Sequence, residues 1–196
     1  MRKLLFVVSL FIAFQIMADI ASLRIVTVLG MSIDGGTLIY PLTFVARDLI
    51  HRLSSKVVAR QVVVTAALLN LVMVGLFWLI ATLSPDMAVG EQAEFGYVLL
   101  PAWRIVVASI FGEIVSGLLD GELYQLWANW KPSSTWQRAI VSNAFSIPID
   151  STIFCLLAFY GTIPTSVVGS IILSNIIIKF VMAGIFTPIA YVRTKG

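Results

Sequence analysis

The sequence predicts an all-α integral membrane protein, a six-transmembrane-helix bundle with both termini cytoplasmic. Three observations lead there. Of 196 residues, 59% are hydrophobic and 12% charged, with a mean hydropathy of +0.99; soluble domains average about 45–50% apolar and about 25% charged residues. Six runs approach or exceed the length of about 20 apolar residues that crosses a bilayer. The basic residues beside these runs alternate between loops, as cytoplasmic and external loops do.

The first run, 4–29, follows Met1-Arg2-Lys3. That start resembles a signal peptide, but no Ala-x-Ala cleavage site follows and the apolar character continues past Asp19, so it reads as a retained span. The second run, 37–53, is the weakest, with Arg47, Asp48, His51 and Arg52 crowding its end. The others cover 57–83, 97–119, 138–160 and 166–191. Turn and helix-stop chemistry separates them: Asp34-Gly35-Gly36, Ser54-Ser55, Ser84-Pro85-Asp86, Lys131-Pro132-Ser133-Ser134, and Gly161 to Pro164.

Loop charge tests this count independently. Arg2 and Lys3 precede the first span, Arg52, Lys56 and Arg60 flank the second loop, Lys131 and Arg138 lie in the fourth, and Arg193 and Lys195 close the chain. The first and fifth loops hold no Lys or Arg, and the third holds only Asp86, Glu91 and Glu94. Trp78, Trp103, Trp127, Trp130 and Trp136 fall mostly near span ends, where indole rings anchor at the interface. With no linker or low-complexity tract, residues 1–196 read as a single transmembrane domain. The net charge of +3 is scattered over short loops and gives no nucleic-acid footprint; the single cysteine, Cys155, reads as a buried, inert thiol.

Inside the apolar runs lie Asp19, Arg24, Arg104, Glu113, Asp120, Asp150 and Lys179. A charge at bilayer depth costs about 2.5–3.5 kcal/mol on insertion scales, so such residues face a protein interior or a wet cavity. In the fourth span Ser109, Glu113, Ser116 and Asp120 recur at helical spacing on one stripe. The fifth span repeats the pattern with Asn143, Ser146 and Asp150, continued by Phe154. The first adds Gln15, Asp19 and Ser22; the sixth adds Asn175 and Lys179, one turn apart. Asp19, Glu113, Asp150 and Lys179 are each expected near the centre of a span. Internal salt bridges, for example between Asp19 and Lys179, are one explanation. Buried ion pairs stabilise poorly against packed apolar residues, however, and three acids with one base exceed a structural need. A polar solute site is the alternative, and on the residues alone its solute could be a nucleobase, an amine or a coupling proton. Pro41 and Pro148 interrupt the second and fifth runs at corresponding positions of two triplets, a pattern of broken transporter helices that simple kinks also produce. Ser9/Ala13, Gly117/Gly121 and Ser170/Ser174 suit close helix packing.

Enzyme readings find little support. The one histidine, His51, sits beside Arg52 at a span end, and the sequence has no His/Cys metal cluster, nucleophile elbow or phosphate-binding glycine loop. No cofactor or metal is expected.

Three segments carry a family resemblance. Tyr40-Pro-Leu-Thr-Phe-Val-Ala-Arg-Asp48 with Val58-Ala59-Arg60, Arg104-Ile-Val-Val-Ala-Ser109 leading to Asp120, and Asp150-Ser-Thr-Ile-Phe154 running into Ala158-Phe159 resemble the second-, fourth- and fifth-span signatures of the queuosine precursor transporter family, also called vitamin uptake transporters. The resemblance covers about residues 15–160. It implies a carrier of 7-deazaguanine bases, queuine or its cyano or aminomethyl precursors, in a bacterial inner membrane. The chain departs from the pattern at Asp19, where an Asn is expected, and at Ser146-Ile-Pro-Ile before Asp150. The architecture also resembles the binding subunits of energy-coupling factor transporters, which dock their motor through Ala-x-x-x-Ala in the first span. Ser9-Leu-Phe-Ile-Ala13 and Ala18-Asp-Ile-Ala-Ser22 miss that motif, which favours a stand-alone carrier over one with ATP-driven partner subunits; a homo-oligomer stays open.

The expectation is therefore a secondary transporter for a nucleobase-like molecule. Glu113 and Asp150 bind the donor edge of the base, with Asp120, Asn143 and Ser109 in support and Phe154 for stacking. Arg104 neutralises charge near the outer mouth, and Asp19 with Lys179 forms a coupling or structural pair.

Overall fold

The computed structural model describes residues 2–130 and 135–192, without the side chains of 44, 48, 51, 52, 56, 120, 121, 124, 125, 127, 128, 135–139 and 186–192. The elements run α1 (Arg2–Ala21), β1 (Ile25–Val28), β2 (Met31–Asp34), a 3₁₀ turn (Gly35–Leu38), α2 (Tyr40–Leu53), α3 (Lys56–Thr82), α4 (Ala93–Leu99), α5 (Ala102–Trp130), α6 (Thr135–Phe159) and α7 (Thr165–Val192). Among the described residues, five stretches are long and apolar enough to cross a membrane: Arg2–Ala21, Val57–Thr82, Ala93–Leu119, Ile140–Phe159 and Thr165–Ile185. Their outer faces are as greasy as their inner ones. On α3, Leu68, Val72, Leu76 and Leu79 form an exposed stripe, which water would not tolerate and hydrocarbon does.

Several span limits differ from the sequence reading. The first span stops at Ala21 rather than near residue 29. The β-branched run Ile25-Val26-Thr27-Val28 pairs instead with Met31–Asp34 in a hairpin. Leu29 and Gly30, at φ +52° and +80°, make its two-residue turn. Two positive φ angles give the turn handedness that matches strand twist, and Leu29 holds this conformation although residues with a Cβ rarely do. Asp19 accordingly lies in the last turn of α1, not at its centre. The second run forms only 14 helical residues, about 21 Å against a hydrocarbon core of about 30 Å. Pro41 stands at the start of α2, where its missing N–H costs nothing, and does not break that helix. Pro148 does lie inside α6. α5 begins after Pro101 and runs on to Trp130, beyond the limit of 119 read from hydropathy. The 131–134 turn lies outside the described residues.

The chain divides into two compact units, Met1–Val26 with Asp34–Val107, and Thr27–Ile33 with Ala108–Gly196; the division passes through the hairpin and through α5. In the first unit, Val7 and Phe11 of α1, Ala46 and Ile50 of α2, and Ala59 and Ala66 of α3 form the core, and Phe77 of α3 meets Phe95 of α4 edge-on at 6.2 Å. The non-helical backbone following the hairpin is enclosed by protein: Asp34, Gly36 and Thr37 are all buried, as irregular backbone at membrane depth must be. Gly35 and Gly36 permit this. A Cβ on Gly36 would stand 2.0 Å from Ser22 Oγ and 2.5 Å from the Ala18 carbonyl, and one on Gly35 would stand 2.5 Å from the Ala21 carbonyl.

The second unit is built on α6 and α7, joined by a tight turn after Gly161 (φ +80°). Cys155, Ala158 and Phe159 of α6 and Val168 and Ile171 of α7 are among its buried apolar residues. Strand β2 is tied to α7 at one residue: Ser32 N–H donates to Ser170 Oγ at 3.0 Å, and Ser174 Oγ donates to the Ser32 carbonyl at 2.9 Å. Ser170 and Ser174, one turn apart, therefore grip strand backbone as well as allowing close packing.

Candidate substrate-binding site

The second unit holds a charged pair at its centre. Lys179 of α7 donates to Asp150 Oδ2 of α6 at 2.5 Å, with side chains only 9% and 16% exposed. Ser116 of α5 donates to the other carboxylate oxygen at 3.2 Å. A Cβ on Gly112, one turn earlier, would come within 2.9 Å of that same oxygen. Gly112 and Ser116 are therefore the small-residue notch through which α5 approaches the Asp150 carboxylate. A carboxylate offers about four lone-pair positions, and the contacts from Lys179 and Ser116 take two. One turn before Lys179, Asn175 is buried with its amide on the Ile171 carbonyl at 3.1 Å and on Cys155 Sγ at 3.8 Å. The result is an anionic and a cationic group side by side, enclosed by small and apolar residues, suited to a planar solute presenting both donors and an acceptor.

The remaining expected residues spread outward from this centre. Asn143 is half-buried on α6, two turns before Asp150, and Glu113 is half-buried on α5 beside Gly112. Phe154, one turn past Asp150, meets Phe159 edge-on at 5.9 Å. Ser109 and Arg104 are half-buried further back on α5, Arg104 within the part assigned to the first unit. The side chain of Asp120 lies outside the described residues.

The first unit contains two further buried acids. Asp19 of α1 accepts from the side-chain amide of Asn70 of α3. Asp34 accepts from Ser22 Oγ at 2.7 Å, Thr37 N–H at 3.1 Å and Thr37 Oγ1 at 2.6 Å, which staples the hairpin exit to the end of α1. The sequence had suggested Asp19 as the partner of Lys179; the partners shown are Asp150 for Lys179 and Asn70 for Asp19.

Gly112 and Asn70 escaped the sequence reading, although both left signals. Asn70 is the one amide within the apolar stretch 66–81, and Gly112 stands one helical turn before Ser116. Asp34 was read only as a turn residue, because its burial depends on Ser22 and Thr37 closing over it.

Helices long and apolar enough to cross a membrane, together with a buried charged pair, define a polytopic membrane protein. The family described as "Putative vitamin uptake transporter" matches residues 34–193, and the chain belongs to that family. It is also similar to a protein of Bacillus subtilis (strain 168) named "Probable queuosine precursor transporter", being 29% identical over 184 residues, which span 91% of this chain and 79% of that protein. No solved structure matches. The protein is thus a transporter rather than an enzyme, multi-pass in the bacterial inner membrane, acting on a small-molecule substrate.

Proposed function

We propose that this protein is a stand-alone secondary carrier that imports a 7-deazaguanine base, queuine or a cyano or aminomethyl precursor of queuosine, with both termini in the cytoplasm. The observation that carries this reading is the Asp150–Lys179 pair. A guanine-like edge presents two N–H donors beside one keto oxygen. The open lone pairs of Asp150 accept the N–H groups while the Lys179 ammonium donates to the oxygen, so the solute inserts between charges already paired with each other. Ser116 holds the carboxylate in orientation, and Gly112 leaves room for it. Glu113 joins Asp150 at the donor edge, Asn143 and Ser109 complete the polar lining, Phe154 offers an aromatic edge or face, and Arg104 neutralises charge near the outer mouth. The Bacillus relative's name supports the same solute class.

Uptake of radiolabelled queuine and its two precursors into cells lacking their own route tests the proposal. Accumulation that depends on this protein, and is lost in Asp150→Asn with normal protein levels in the membrane, is expected. Transport that disappears when the host's energy-coupling ATPase components are deleted would instead make the chain the binding subunit of an ATP-driven transporter.

A further inference from the structure

We propose that Ser151 of α6 is a substrate-contact residue, whose hydroxyl donates to the keto oxygen of the transported base. This rests on the reading of Asp150 and Lys179 as the partners of that base, and adds a third polar contact to them. Ser151 is 0% exposed, and its Oγ, shielded from solvent, has no hydrogen-bond partner among the described residues. Buried hydroxyls on helices can avoid this by donating to a carbonyl three or four residues back. Thr43 does so to the Tyr40 carbonyl at 2.7 Å, and Ser174 to that of Ile171 at 3.0 Å. A hydroxyl stripped of water and left unpaired costs free energy, and alanine would fill the same place without that cost. Such a group calls for a partner that arrives from outside the chain.

Its place in the second unit supplies that partner. Two contacts set the register of α6 against α7: Asp150 with Lys179 at 2.5 Å, and Cys155 Sγ with Asn175 Nδ2 at 3.8 Å. Ser151 directly follows Asp150 and precedes Cys155 by one helical turn, so it falls between these two rungs. A base that enters between Asp150 and Lys179 parts the rung beside Ser151 and brings its keto oxygen to the hydroxyl. That oxygen has two lone pairs; Lys179 takes one and Ser151 the other. Binding thus gives the hydroxyl the hydrogen bond it lacks while the pair is closed. A site built this way discriminates through its unpaired group, because a base without the oxygen leaves the hydroxyl stranded.

The test compares wild type with Ser151→Ala, as full-length protein in detergent. The probes are tritiated 7-deazaguanine and tritiated 2-amino-7-deazapurine, which lacks the keto oxygen. Ser151→Ala should melt at the wild-type temperature or above it, yet bind 7-deazaguanine about tenfold more weakly, the worth of one hydrogen bond in a dry site. The base without the oxygen should bind both proteins alike. Should Ser151→Ala fail to fold, Ser151→Cys keeps a similar volume but donates weakly, and the same loss is expected of it. Unchanged affinity for 7-deazaguanine overturns the proposal, whatever the melting temperature does, and so does an equal loss for both bases. If the wild type binds neither base, the substrate reading falls and this contact with it. If the wild type binds 7-deazaguanine and the substitution has no effect, only the Ser151 contact falls.

Discussion

Asp150→Asn removes the countercharge from an ammonium that is only 9% exposed. At the observed 2.5 Å separation the Coulomb attraction is about 7 kcal/mol with an effective dielectric of about 20. Desolvation of both groups offsets much of that, which is why breaking a buried pair costs about 3–5 kcal/mol while replacing the whole pair by apolar residues of similar volume is often neutral. The single variants Asp150→Asn and Lys179→Met should therefore each lose about 3–5 kcal/mol of stability, and Asp150→Leu/Lys179→Met should recover most of it. Binding of labelled base should be absent from all three, because the double variant restores packing without restoring an acceptor or a donor. Thermal melting of detergent-solubilised protein measures the first quantity, and equilibrium binding measures the second. A double variant as unstable as the singles would refute the stranded-charge argument. A stable double variant that still binds the base at wild-type affinity would refute the assignment of the pair to the solute.

Gly36→Ala should destabilise the first unit by about 3 kcal/mol or more, the upper end of overpacking costs, because the added methyl meets Ser22 Oγ and the Ala18 carbonyl at 2.0 and 2.5 Å; melting temperature reads it. Gly112→Val should displace the Asp150 carboxylate and weaken base binding about tenfold or more, with a smaller stability loss of about 1–3 kcal/mol, since the atom it meets at 2.9 Å is a side-chain oxygen. Leu29→Asn should stabilise the hairpin by about 1 kcal/mol, because Asn tolerates the left-handed conformation that Leu29 is held in. Ser174→Ala removes the donor to the Ser32 carbonyl at a cost of about 1 kcal/mol; a thiol reagent should then reach a cysteine at position 32 several times faster than in the Ser174 background.

How much of this was legible beforehand varies with the range of the interaction. The helices α3, α6 and α7 lie close to the limits read from hydropathy, because whether 20 residues can cross a bilayer depends on those residues and their flanking charges alone. Hydropathy failed at residues 22–34, where an apolar run folds back as a hairpin; β-branching at Ile25 to Val28 and the glycine at position 30 were the local signals, and helix-length averaging hid them. At α2 it counted Thr37 and Leu38 into the helix, although they belong to the 3₁₀ turn that precedes it.

The sequence by itself determined that this chain lives in a membrane, where α3, α6 and α7 start and stop, and that Asp150 and Lys179 needed an enclosed polar setting. Tertiary structure decided which partners they found. Lys179 meets Asp150 across 29 residues of chain and Asp19 meets Asn70 across 51, while Asp34 became a buried staple because Gly35 and Gly36 let the backbone close on α1. Periodicity reports which face of a helix a residue occupies. It cannot report which helix that face will meet, since that choice is made by packing shape, and here three glycines set the distances.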